Sequence, residues 1–416
     1  MKFDYIIIGG GLCGLSAGIR LAEQGKKTAI VSSGQSALHF CAGSLGLLGK
    51  NGDKPVTNPL EEIKNLPENH PYSLIGVENV TKLAESAPEF LGNAGITTLG
   101  DSSKNHYTLT PFGVYRASWL TLQGYPAFKS DEKLPFEKAV IITLHGFLES
   151  YPSFMADNLE KLGVKCKIET LDLDRLARLR KSNFDMRAVS VARQINSETI
   201  DEFANKINSV TPDGYTVLIP AVIGFNDEKQ FSRLKELVKN PLFCVPTIPV
   251  SVSGVRTQHM LQKYFENLGG TYLLGDHVDK GIIENGEVKE LVTANFGEDH
   301  LQADAYILAS GSLFSEGIKS NFNGFYEPVF GLDIYFDENR EDWCERDFFG
   351  NQPYMNYGVE VDKEFHPKVN GKAIGNLYAA GATLAHCNAL KEDSGAGTAI
   401  LTGMHVADLA MKNVAR

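Results

Sequence analysis

The chain has 416 residues, of which 43% are hydrophobic and 22% charged, and its formal net charge is −11. That length exceeds one simple core and suits two lobes, while the composition is that of an ordinary globular protein. The acidic balance argues against a nucleic-acid surface, which needs clustered Lys and Arg to release counterions.

In chain order, Phe3–Ile8 is a short apolar strand that runs into Gly9-Gly10-Gly11-Leu12-Cys13-Gly14. A helix follows, with Leu15, Ile19, Leu21 and Ala22 at helical spacing, ending at Gly25; Lys27–Val31 is the next strand. This is a complete βαβ unit. The stretch 32–48 is rich in Gly and Ser, and 51–70 is polar with Pro and Asn, a surface excursion. Ala139–Leu144, Lys165–Leu171 and Tyr215–Pro220 read as strands and Phe154–Leu162 as a helix, which suggests an inserted α/β lobe with its own sheet.

A helix is expected from Ser253 to about Leu268, stopped by Gly269-Gly270. Strands then follow at Thr271–Leu274, Val278–Ile283 and Val288–Thr293, the last two joined by an Asn285-Gly286 turn. Ala303–Ala309 is a buried strand closing on Ser310-Gly311-Ser312. The chain finishes with strand Asn376–Ala380, Gly381, a glycine-rich loop through Gly395 and Gly397, and helix Thr398–Met411. The pattern predicts an α/β protein: a Rossmann-like dinucleotide-binding domain of residues 1–80 and 250–416, with residues 81–249 as an inserted α/β capping lobe.

The six Cys residues, at 13, 41, 166, 244, 344 and 387, include no CxxC pair, so neither a zinc ribbon nor a ferredoxin-type cluster is legible, and no metal is expected. The longest apolar run is far too short to span a bilayer, and a cytoplasmic location is expected.

The chemistry starts at the glycine turn. Gly9-x-Gly11-x-x-Gly14 stands directly after a strand and opens a helix, the context that makes the pattern specific for a nucleotide phosphate. Gly9, with Gly10 beside it, permits the tight turn. Gly11 lets the backbone approach the phosphate, Gly14 allows close helix–strand packing, and the helix N-terminus offers N–H groups and a positive dipole end. Such units usually carry Asp or Glu at the end of the second strand to hold a ribose hydroxyl. Here that strand ends Ile30-Val31-Ser32-Ser33. Ser32 or Ser33 offers a weaker hydrogen bond, and FMN, which lacks the adenosine half, is a physically reasonable occupant with FAD as the alternative.

The segments ending in Ser310-Gly311-Ser312 and in Tyr378-Ala379-Ala380-Gly381 resemble the flavoprotein superfamily that includes fumarate reductases. The resemblance implies that Gly381 contacts the ribityl–phosphate region, that the last helix, opened by Gly395 and Gly397, aims its N-terminus at the flavin ring, and that Ser36 and Gly43 lie against the flavin. The usual Asp after the late glycine is Ala382 here. Members with covalent flavin carry His directly after the Ser; this chain has Ala37, so a non-covalent flavin is expected.

The longer segments GQSALHFCAGSLGLL (34–48), HPYSLIG (70–76), TPFGVYRASWLT (110–121), MRAVSVAR (186–193), IPVSVSGVRTQHMLQKYF (248–265) and LASGSLFSEGI (308–318) together resemble the B subunits of anaerobic glycerol-3-phosphate dehydrogenases over nearly the whole chain. The stretch 391–397 is more charged and less glycine-rich than that family's pattern. The resemblance implies a flavoprotein subunit, assigned FMN in that family. It pairs with a FAD-bearing A subunit, and it docks on a membrane-associated iron–sulfur C subunit. The complex oxidises glycerol 3-phosphate to dihydroxyacetone phosphate and passes electrons toward quinone, so the chain is expected at the inner membrane only peripherally.

A phosphorylated substrate needs a fixed cationic site. Arg116, Arg187, Arg193 and Arg256 lie in the resembling segments, and Arg256 and Arg116 are the phosphate candidates, Arg256 near a helix start beside Ser251, Ser253 and Gly254. For the base that takes the hydroxyl proton, His386 and His39 are preferred over His145. Two other readings stay open: a stand-alone fumarate-reductase-like enzyme, and a non-catalytic electron-relay or assembly subunit.

Overall fold

The structure, a computed structural model, describes residues 1–129, 134–181 and 185–414. In chain order the strands of its two parallel sheets are β1 (Lys2–Ile8), β2 (Thr28–Ser32), β3 (Lys138–Leu144), β4 (Lys165–Leu171) and β5 (Thr216–Pro220). They continue with β6 (Leu242–Val245), β7 (Thr271–Leu274), β8 (Gln302–Leu308) and β9 (Leu377–Ala379). The helices used below are α1 (Leu12–Ala22), α2 (Val77–Asn93), α3 (Pro152–Lys161), α4 (Val252–Asn267) and α5 (Gly395–Val414). Most expected elements stand within two residues of these bounds.

Two compact units result, one of Met1–Ala37, Gly46–Phe90 and Leu261–Arg416, the other of Leu38–Leu45 and Leu91–Met260. In the first unit the strand order is β7-β2-β1-β8-β9, every pairing parallel. Strands covered on both faces read as continuous apolar runs. Accordingly Ile6, Ile7, Ala29, Ile30, Tyr306, Ile307 and Leu308 are all fully buried. Helix α5 packs on α1 at close range, because a Cβ on Gly403 would stand 2.6 Å from the Cys13 carbonyl oxygen. A two-pronged Arg20–Asp408 pair at 2.9 and 3.1 Å joins the same two helices. The hairpin at Asn285-Gly286 takes positive φ at both residues, 53° and 79°, as a tight two-residue turn requires.

In the second unit β4-β3-β5-β6 form a separate parallel sheet. Its core gathers Ala139, Ile141, Leu218 and Val245 with Met155 and Leu159 of α3. The segment 38–45, read from sequence as part of the nucleotide-binding domain, belongs to this second unit. There Ser44–Leu45 pairs antiparallel with Leu120–Leu122.

Three readings change. The excursion 51–70 holds a small strand pair, Lys50–Asn51 with Lys54–Pro55, and the helical turns of Pro59–Asn65. Helix α2, unanticipated, buries Val80, Leu83, Ala84, Ala87 and Leu91, a helical spacing that was present in the sequence. The glycines at 395 and 397 open α5 and are not a loop. Gly397 is small because of packing: a Cβ there would lie 2.5 Å from Tyr72 Oη and 2.9 Å from Leu47 Cα. No described helix is long and apolar enough to cross a membrane.

Candidate functional site

In the first unit the site is built on the β1–α1 turn. Gly9 has φ +113°, and a Cβ on it would stand 2.2 Å from the Ala309 carbonyl oxygen. A Cβ on Gly14 would lie 1.9 Å from the Gly9 oxygen, so the turn and helix close only over glycine. Gly11 differs. Its backbone is extended (φ −80°, ψ −173°), and the nearest atom to an added Cβ is Ser36 Cβ at 3.6 Å. It caps α1 with no side-chain hydrogen bond. The protein leaves room there, and the helix N-terminus beside it is the place for an anion.

Beside that turn, Tyr272 Oη donates to the Gly10 oxygen at 3.1 Å. Tyr272 Oη and Ser32 Oγ would both crowd a Cβ on Gly10, at 2.1 and 2.4 Å. Ser32 is buried and Ser33 exposed.

Farther along the edge formed by the C-terminal ends of β8 and β9 lies a cavity lined by Ser312, Phe314, Tyr354, Cys387, Asn388 and Thr398, with Gly381 and Gly395 in its wall. Ser310 Oγ and Asn388 Nδ2 are buried without a hydrogen-bond partner. Unsatisfied buried donors are costly unless a ligand meets them. These two orphans, together with the open cradle at Gly11, fit a flavin nucleotide along this edge. Two expected contacts are already engaged within the protein: Gly381 N–H donates to Thr402 Oγ1 at 2.8 Å, and Gly397 N–H to the Gly46 oxygen at 2.8 Å. Gly311, with φ +90°, turns the chain away from β8.

His386 stacks on Tyr335 at 4.2 Å, and its Nε2 lies 3.4 Å from Glu360 Oε1. Its neighbour Cys387 is the residue that lines the cavity.

Behind Cys387, sequence reasoning missed a cluster: His70, Cys387 and Glu392 bring one ligand-type atom each within 4.8 Å of the others. The tautomer argues against a ligand shell. His70 caps a short helix by accepting the Tyr72 amide at Nδ1, 3.1 Å, so the ring proton sits on Nε2. That Nε2–H faces Glu392 Oε2 at 3.3 Å and keeps no lone pair for an ion. The set is a hydrogen-bond network.

The second unit holds His39, Gly43, Arg116 and Arg256. His39 is 8% exposed, with Nδ1 unpartnered. Burial, aided by His259 and opposed by a Gln258 hydrogen bond, pushes its pKa below the usual histidine range. A Cβ on Gly43 would meet the Tyr125 ring at 2.5 Å. Arg256 is 6% exposed, and its Nη1 donates to the carbonyls of Ile223 at 3.1 Å and Gly224 at 2.7 Å. Among the described residues no carboxylate lies within ion-pair distance of it. Burial raises the Cys41 thiol pKa, and the Gly43 amide, Arg116 and Arg256 pull it back, so both arginines act on one spot. A small cavity beside Arg256 is lined by Tyr125, Glu228, Cys244 and Ser253. Burial holds Glu228 above the ordinary carboxylate pKa.

The α4 start is not the open anion site expected, because Ser251 Oγ already accepts the Gly254 amide at 3.0 Å. The cationic feature is the Arg256 side chain alone. The other arginines have partners: Arg187 pairs with the buried Glu149 at 3.1 Å, and Arg193 lies over the Phe225 ring at 5.0 Å. His145 is an exposed partner of Asp172 at 3.6 Å.

The parallel sheet and its glycine turn define the class: a flavin-binding oxidoreductase fold. Residues 4–398 match the profile of the FAD binding domain family. The chain is 37% identical over 421 residues to the B subunit of anaerobic glycerol-3-phosphate dehydrogenase from Yersinia pestis, covering 100% of this chain and 99% of that one. Against the protein of the same name from Aliivibrio fischeri it is 35% identical over 432 residues, covering 98% and 95%. The chain belongs to the family of anaerobic glycerol-3-phosphate dehydrogenase B subunits. Among solved structures, an E. coli quinol fumarate reductase FrdA variant aligns with 11% identity and a TM-score of 0.45, over 100% of this chain and 71% of that one.

Proposed function

We propose that the chain is the flavoprotein subunit of a glycerol-3-phosphate dehydrogenase complex. On this reading the first unit holds the flavin and the second supplies the substrate's phosphate site and proton acceptor. The observation that carries the reading is the combination of a Gly11 cradle with two orphaned donors, Ser310 Oγ and Asn388 Nδ2, in a chain of this family. Gly9, Gly10, Gly11 and Gly14 would hold the phosphate, with Ser36 beside them. Gly381, Gly311 and the start of α5 at Gly395 and Gly397 would shape the wall around the ring. When bound, the flavin supplies the acceptor for a hydride.

We assign FMN, bound non-covalently. Two features support it: the end of β2 carries Ser32 and Ser33 in place of a ribose-binding carboxylate, and Tyr272 Oη with Ser32 Oγ fills the space over Gly10. Arg256, with Arg116, binds the phosphate of glycerol 3-phosphate. An Arg already steadied by two carbonyls through Nη1 loses little freedom when its remaining N–H groups meet an anion. The relatives are named as one subunit of several, which supports a complex with a FAD-bearing A subunit, and with an iron–sulfur C subunit that attaches the chain to the membrane. The exposed Phe348 and Phe349, 84% and 88% accessible, are surface of the kind buried when chains assemble.

One preparation tests the assignment. The chain purified alone is expected to be yellow, to release FMN into the supernatant on acid precipitation, and to lose flavin absorbance on adding glycerol 3-phosphate without oxygen. Released FAD sinks the FMN assignment, colour in the pellet sinks non-covalent binding, and an unbleached flavin moves the hydride step to another subunit.

His39 is the favoured proton acceptor: it is buried, unpartnered at Nδ1 and neutral at physiological pH. A base works deprotonated, so a lowered pKa keeps it active into mild acid. The acid limb of kcat/KM is therefore expected below pH ~6.5, the ordinary histidine value. His39→Gln is expected to abolish that limb and cost about 10²–10⁴ in kcat. A limb at or above the ordinary value, or one surviving the substitution, removes His39. For His386, already engaged by Tyr335 and Glu360, the check is His386→Ala, and unchanged flavin content and turnover end its candidacy.

A further inference from the structure

The loop that precedes α5 carries a buried charge that the reading above does not use. Glu392, its side chain 16% exposed, is surrounded by donors. Oε1 accepts the Asn388 amide at 3.1 Å; Oε2 accepts Ser394 Oγ–H at 2.9 Å, His70 Nε2–H at 3.3 Å and the Cys387 thiol at 3.4 Å. Burial alone would raise its pKa, but the His70 hydrogen bond, with Ser394 and Cys387, outweighs that and holds it below the usual range. The carboxylate is ionised at neutral pH.

His70 does not cancel that charge. A protonated imidazolium would place an N–H on Nδ1, against the Tyr72 amide that donates there at 3.1 Å. His70 is therefore neutral, and the cluster carries a net charge of one electron. The cluster is also one side chain from the cavity: Cys387, which touches Glu392 Oε2, and Thr398, which lies 3.6 Å from Cys387 Sγ, both line it. Glu392 precedes the first residue of α5 by three positions, so its negative charge sits at the positive end of a 20-residue helix.

We propose that Glu392 is a resident negative charge that holds down the reduction potential of the flavin, offsetting the positive end of α5. This rests on the reading that the flavin ring occupies the cavity lined by Cys387 and Thr398. Reduction adds negative charge to the ring, and a fixed anion behind the cavity wall, screened by protein more than by water, disfavours it. The potential is then low enough for electrons to be passed on. His70, Ser394 and Cys387 are positioning residues: they keep the carboxylate ionised and in place.

The test is the midpoint potential of the bound flavin, measured by spectroelectrochemistry on the full chain after its flavin content has been determined. Glu392→Gln is expected to raise the potential by at least tenfold in the reduction equilibrium, about 30 mV for a two-electron couple. Ser394→Ala removes one donor and leaves the charge less compensated, so the potential is expected to fall. A purely structural network would move both variants the same way or neither. Fully loaded Glu392→Gln with an unmoved potential overturns the proposal while the flavin reading stands; colourless wild-type protein overturns both. Should Glu392→Gln not load flavin, the sign of the Ser394→Ala shift decides, and a rise or no change overturns the proposal.

Discussion

Gly11→Ala is expected to leave the fold intact and to strip the protein of its flavin. The Gly11 backbone is one any residue adopts, and the new methyl would meet only Ser36 Cβ, at 3.6 Å, an ordinary contact. The melting temperature of the flavin-free protein should stay close to that of flavin-free wild type. The methyl would, however, stand in the open cradle at the head of α1, where a phosphate must approach the backbone. Overpacking of this kind costs about 1–3 kcal/mol, or roughly 10- to 150-fold in the flavin Kd. Gly14→Ala is the contrasting variant. Its methyl would fall 1.9 Å from the Gly9 carbonyl oxygen, a backbone atom that cannot step aside without opening the turn. That variant should lose about 3 kcal/mol of stability as well as its flavin. Calorimetry on flavin-free protein and fluorimetric flavin titration separate the two losses. Equal flavin affinity in Gly11→Ala and wild type would show that no phosphate sits on the turn.

Arg256→Gln is the second large effect expected. The guanidinium is buried, Nη1 rests on two carbonyls, and no described carboxylate neutralises it. A hydrogen bond to a charged group contributes about 1.5–3 kcal/mol. Loss of the phosphate contact should therefore lower kcat/KM for glycerol 3-phosphate in the assembled complex roughly 10- to 150-fold, chiefly through KM. Arg256→Lys keeps the charge but not the planar fork, and is expected to recover only part of the loss. If the role is structural, the carbonyls of Ile223 and Gly224 lose their donor: stability falls and KM stays put. A lowered Tm with unchanged KM would sink the substrate role.

What the sequence determined by itself is local. The βαβ unit around Gly9, Gly11 and Gly14 was legible because strand, turn and helix follow one another within a few residues, and each glycine answers a constraint set by its near neighbours or by the adjoining strand. The Asn285-Gly286 turn was legible for the same reason. The absent carboxylate after β2 needed only reading, and full-length similarity supplied the family.

Tertiary structure decided what depends on distant partners. Residues 38–45 follow the nucleotide-binding strands in the chain, yet they pair with Leu120–Leu122 in the second unit, and they take His39 and Gly43 with them. Gly397 looked like loop until Tyr72 and Leu47 filled the space beside it. The Glu392 network joins side chains 322 positions apart, and the charge it carries follows from one backbone amide that fixes the His70 tautomer. Spacing along a chain encodes periodicity and turns, which are short-range. Which buried charge is paired, and by what, is set by contacts between residues that sequence separation does not bring together.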